Sequence, residues 1–119
     1  MIRPMLDDAE AQARFGRLVD AVAGLEGVTL GSDRHGFGSG ALRVNGRIFA
    51  MLTAGHLVVK LSRDRVASLL ASGDGTAFDA GKGKPMKEWV ALAGGGDDVW
   101  LARAREAREF VSRLDGPVR

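Results

Sequence analysis

The sequence predicts an α+β two-layer sandwich, an antiparallel sheet with helices packed on one face, in the order helix, strands, helix, strands, helix. Three observations carry this. Residues 41–61 read as three strand-like runs joined by the tight turns Asn45-Gly46 and Ala54-Gly55. Segments with the apolar spacing of one helix face stand before, between and after the strand-like stretches. The strands also carry apolar residues on both alternating sets, so their sheet needs two covers, of which the chain's own helices supply one.

Asp7 and Asp8 suit a helix N-cap, and Phe15, Leu18, Val19 and Val22 follow on one side up to Gly24, which predicts a first helix over residues 8–23. Val28-Thr29-Leu30 is a short strand candidate, followed by a glycine-rich loop over residues 31–40 that holds Asp33, Arg34, His35 and Phe37. Asn45-Gly46 places Val44 opposite Arg47, because both central positions of a type I′ turn need positive φ. Ala54-Gly55 pairs Thr53 with His56, Met51 with Val58 and Phe49 with Lys60. Without a bulge, one face carries Leu42, Val44, Phe49, Met51 and Val58, and the other Ile48, Ala50, Leu52, Leu57, Val59 and Leu61; a one-residue slip exchanges the faces.

Ser62 caps a second helix whose Val66, Leu69 and Leu70 share a side and which ends at Gly73. Asp74-Gly75 turns the chain toward residues 76–79, and Gly81-Lys82-Gly83-Lys84-Pro85 is a loop. Residues 86–92 read as a strand with Met86, Val90 and Leu92 on one side and Lys87, Trp89 and Ala91 on the other. Glu88 interrupts the first set, which predicts an edge strand or a register shift. Asp97 or Asp98 caps a last helix with Trp100, Ala104, Ala107, Val111 and Leu114 inward.

The chain has 119 residues, one domain's worth, and a formal net charge of +2. It has no cysteine, which excludes disulfides, thiol nucleophiles and Cys-based zinc sites. No signal-peptide core opens it and no run of eighteen apolar residues occurs, so a cytoplasmic protein without membrane contact is expected.

Chemical motifs are scarce. Gly75 and Gly81 enclose five residues rather than four, and Gly83 stands where a phosphate loop needs a hydroxyl. Residues 36–40 lack dinucleotide-fingerprint spacing and precede a hairpin rather than a helix. His35 and His56 have no metal-ligand spacing, and the acids fall mostly at caps and turns. The expectation is a non-enzymatic protein with no catalytic residue, metal or cofactor. Arg43, Arg47, Lys60, Lys82, Lys84 and Lys87 are candidates for a basic rim on the sheet, and with Phe49 and Trp89 as stacking surfaces they define an alternative function, nucleic-acid binding.

The middle of the chain resembles the N-terminal domain of the TfoX (Sxy) family, itself similar in build to YjbR-like proteins. The residues that carry this are Phe37-Gly38, Gly46-Arg47-Ile48-Phe49-Ala50, Leu57, Lys60, Phe78, Gly81-Lys82-Gly83-Lys84-Pro85 and Trp89, in the family's order. The resemblance implies one such domain over residues 1–119, with helices on one face of an antiparallel sheet, and a regulatory role, since the family's named members regulate bacterial natural competence. It supplies no catalytic residues. Together with the two-sided apolar sheet it leads to a small binding or regulatory domain acting through protein association, expected as a homodimer with Phe49, Met51, Val58 and Trp89 at the interface.

Overall fold

The computed structural model describes residues 8–31, 41–53, 55–78 and 86–115. The elements are α1 (Asp8–Val22), β1 (Val28–Gly31), β2 (Ala41–Val44), β3 (Arg47–Thr53), β4 (His56–Lys60), α2 (Arg63–Ser72), β5 (Gly75–Ala77), β6 (Trp89–Leu92) and α3 (Asp97–Asp115). The six strands form one antiparallel sheet in the order β1-β2-β3-β4-β6-β5, as the α+β reading predicts.

Local chemistry sets most boundaries. Asn45 and Gly46 take φ of 54° and 85°, the left-handed pair a type I′ turn needs, and Val44 pairs with Arg47 across it. Ser62 is extended and its Oγ accepts from the Arg65 N–H at 3.1 Å, which satisfies one orphan donor of α2. At the other end Gly73, at φ 84°, donates its N–H to the Leu69 and Leu70 carbonyls.

Between the two hairpin turns the register slips. Thr53 pairs with His56 and Met51 with Val58, as the second turn requires. Leu42, however, faces Ala50 while Arg43 faces Ile48, so Phe49 is one extra residue on β3, and the β3–β4 ladder ends at Ala50 and Val59. An extra residue flips every side chain on its far side to the opposite face. Leu42, Val44 and Phe49 therefore join Ala50, Leu57, Val59 and Leu61 in the buried cluster, and Ile48 moves to the other face. This corrects the expected faces: Phe49 is fully buried in the core and is not an interface residue.

β6 departs from expectation as well. The strand begins at Trp89 and lies between β4 and β5 rather than at an edge. Glu88 falls in the turn before it, where its carbonyl accepts from Leu61 N–H at 3.0 Å, so the carboxylate never enters the alternation. Val90 and Leu92 point into the core, as expected.

α3 packs across β2, β3 and β4, and α2 covers β5 and β6. Ala104 and Ala107 are fully buried on α3, small enough to let the helix approach the sheet closely, with Trp100 and Val111 filling its ends. Leu114, expected inward, is exposed. Gly75 leaves room for its neighbours, since a Cβ there would collide with the Val90 side chain of β6 and stand 3.4 Å from Leu69 Cβ of α2.

α1 leans mainly on α3, burying Phe15, Leu18 and Val22. Polar pins fix its position. Arg17 Nε donates to Asp97 Oδ2 at 2.6 Å, Arg14 Nη1 donates to the Gly95 carbonyl at 2.8 Å, and the Arg14 guanidinium lies 5.4 Å from the Trp100 ring centre. Asp97 thus occupies the first turn of α3, where negative charge is favoured, and receives cations from α1. The hydrogen bond from Arg17 holds its carboxyl below the usual carboxylate range.

Two outcomes test this packing. Phe49→Ala should cost about 3–5 kcal/mol in urea unfolding, and Met51→Ala, on the opposite face, about 1 kcal/mol; equal losses would place Phe49 outside the core. Because Asp97's folded pKa lies below its unfolded one, its contribution is present above the unfolded value and is lost as pH falls through the folded one, below about pH 4. Carboxyl NMR titration should give Asp97 a midpoint below that of a free aspartate, rising in Arg17→Ala; an unchanged midpoint would mean the pin does not form.

Candidate functional site

All three described helices lie on one side of the sheet, because the buried residues of α1, α2 and α3 share one cluster with Leu42, Val44, Ala50, Leu57, Val59, Val90 and Leu92 of the strands. The other side is built from the alternate residues, and the register arranges them in rows across the strands. The central row runs Ala41, Met51, Val58, Ala91 and Thr76. Toward one end stand Arg43 and Ile48, paired on β2 and β3, and Lys60 and Trp89, paired on β4 and β6. Toward the other end stand Thr53 and His56. The face has an apolar middle, one end with Arg43 and the Lys60–Glu88 pair, and one polar end with Thr53 and His56.

Its apolar residues are unequal. Ala41 is 3% exposed, Val58 1% and Ala91 8%, so none of them has much area left to give, whereas Ile48, Met51 and Trp89 are half-buried. Of the expected interface residues, Met51, Val58 and Trp89 share this face, Phe49 does not, and Val58 is already shielded. Ile48 is the residue that sequence reasoning missed. The signal lost was the bulge, which no turn residue announces.

Lys60, Glu88 and Trp89 form a local unit. Lys60 Nζ lies 3.2 Å from Glu88 Oε1 and 5.3 Å from the Trp89 ring centre, so the ammonium covers the indole while its charge is paired. The pair is partly exposed and contributes little to stability, about 0–1 kcal/mol. It does restrict the ring as a stacking platform. Among the other basic-rim candidates, Arg43 shares the end row with Lys60, Arg47 alternates to the helix side, Lys87 sits in the turn before β6, and Lys82 and Lys84 lie outside the described residues. The described cations therefore do not form one strip along the sheet.

A cleft of about 360 Å³ opens beside this unit, between α2 and the start of β6. Val66, Ala67 and Leu70 of α2, Ala77 of β5, and Met86 and Trp89 supply its apolar lining, and Arg63, Asp64 and Lys87 its polar part. A larger groove of about 520 Å³ separates α2 from the N-terminal half of α3, and the Arg65 to Glu106 ion pair, 2.8 Å from Nε to Oε2, links the two helices.

His56 Nδ1 lies 3.2 Å from the Leu92 carbonyl, which only accepts, so this nitrogen carries the proton and the ring is tied to the backbone. Among the described residues no three His, Asp or Glu side chains converge as metal ligands. Asp33, Arg34 and His35, the residues any loop-based site would draw on, lie outside the described residues. No helix among the described residues is long and apolar enough to cross a membrane.

No protein-family model matches this chain, and no curated protein or solved structure matches it either.

The Lys60 cover on Trp89 has a direct readout, since Trp100 is 4% exposed and contributes little to quenching. Lys60→Ala should steepen acrylamide quenching of tryptophan fluorescence. An unchanged slope would show that the ammonium does not sit over the ring.

Proposed function

We propose that this chain is a small cytosolic, non-enzymatic binding and regulatory domain that acts by pairing with a second copy of itself through the helix-free face of the sheet. The observation that carries the reading is the one-sided placement of α1, α2 and α3 on a sheet whose other face keeps Ile48, Met51 and Trp89 partly open around a central apolar row. The resemblance of the middle of the chain to TfoX N-terminal domains supports a regulatory rather than a catalytic role.

The charge layout favours a second copy in one orientation. A twofold axis running across the strands lays the central row on its own counterpart and sets the end that carries Arg43 and the Lys60–Glu88 pair, whose net excess is the Arg43 charge, against the Thr53 and His56 end. An axis along the strands would instead bring the two ends with a net positive excess together, which is less favourable. Sheets packed in this way interdigitate side chains from two inner faces.

The driving force is small. At about 25 cal/mol per Å², three half-buried side chains per copy yield a few kcal/mol before the cost of association. A reversible dimer of micromolar or weaker affinity is the consequence.

Sedimentation velocity over a concentration series tests the reading. The wild type should shift from monomer to dimer, and Met51→Arg, which sets a charge in the centre of the row, should stay monomeric with an unchanged circular dichroism spectrum. A wild type that stays monomeric up to millimolar concentration, or a folded Met51→Arg that pairs equally well, would remove this face as the interface.

A further inference from the structure

The cleft between α2 and the start of β6 combines features that the sheet face lacks. Its volume, about 360 Å³, falls within the range of small-molecule pockets. Its walls are mostly aliphatic, with Leu70 40% exposed although it sits on a helix that otherwise buries Val66 and Leu69. An exposed leucine in a concave apolar wall is an area of surface that a ligand can take from water.

Among the described residues the charges around it are unbalanced. Lys60 is neutralised by Glu88, but Arg63 and Lys87 make no hydrogen bond or ion pair with any described residue. Asp64 in the first turn of α2 offsets only one of these two cations. The adjoining surface, formed by Lys60, Arg63, Met86, Lys87, Glu88 and Trp89, extends the same cationic side past the mouth. The N-terminus of α2 adds positive potential from its own backbone at the same end.

We infer that this cleft binds a small amphipathic carboxylate, an aliphatic body seated against Val66, Leu70, Ala77 and Met86 with its anionic head at Arg63 and Lys87. An uncharged apolar ligand would leave the two cations unused, and a cationic one would be repelled by them. A highly charged anion such as a nucleotide finds few donors among the described residues, since these walls are mostly aliphatic and Asp64 opposes a second negative charge. The site is separate from the face that joins two copies, apart from Trp89 at their border.

Titration of the ¹⁵N-labelled protein with sodium octanoate, 1-octanol and octyltrimethylammonium tests the inference by amide shifts. Octanoate should bind saturably with the largest shifts at Val66, Ala67, Leu70, Ala77 and Trp89, and more tightly than either other probe. Arg63→Glu with Lys87→Glu should weaken octanoate about three- to tenfold and leave octanol unchanged, since each exposed pairing is worth only a modest factor. Leu70→Asp, an exposed position whose change leaves the core intact, should abolish binding of both. Absence of saturable octanoate shifts at these amides, equal affinity for the cationic probe, or octanoate binding unaffected by the double charge reversal would each overturn it.

Discussion

One extra residue on β3 decides how the sheet divides its apolar surface. A strand with strict alternation would set Leu42, Val44 and Phe49 with Met51 and Val58, giving a face with a large aromatic at its centre. The slip at Phe49 sends Leu42, Val44 and Phe49 to the helix side and leaves Ile48 in exchange. The core thereby gains a fully buried aromatic over which α3 can lie. The helix-free face keeps a thinner apolar row, flanked by cations at one end and by a threonine and a histidine at the other.

That redistribution has functional weight. A face with Phe49 exposed would favour permanent association, because aromatics dominate interface energetics. A face with Ile48, Met51 and Trp89 half-open suits the reversible pairing we propose rather than a permanent interface. The Lys60 ammonium over Trp89 points the same way, covering an indole that would otherwise be the most adhesive group on the surface.

Much of the architecture was legible in the sequence. Asn45-Gly46, Ser62 and Gly73 each dictate a local conformation through a specific hydrogen bond or a positive φ, and each appears where expected. The heptad-like spacing of Trp100, Ala104, Ala107 and Val111 likewise identified the buried side of α3. The bulge was not legible, because no turn residue marks it and only the pairing of β2 with β3 and the burial of Phe49 reveal it. Glu88 misled for a related reason: alternation alone assigns it to a strand, while the turn ahead of Trp89 takes it out of the sheet and gives its charge to Lys60. The cleft beside α2 was invisible because its walls come from α2, β5 and the start of β6, which come together only when β6 inserts between β4 and β5.

The placement of Phe49 is open to direct observation through the nuclear Overhauser contacts of its ring. The ring protons should show contacts to methyl groups of the buried cluster, among them Leu42, Val44 and the alanines of α3. Contacts to the Met51 methyl and the Val58 methyls in their place would mean an unbulged strand, an aromatic helix-free face and a different division of the sheet.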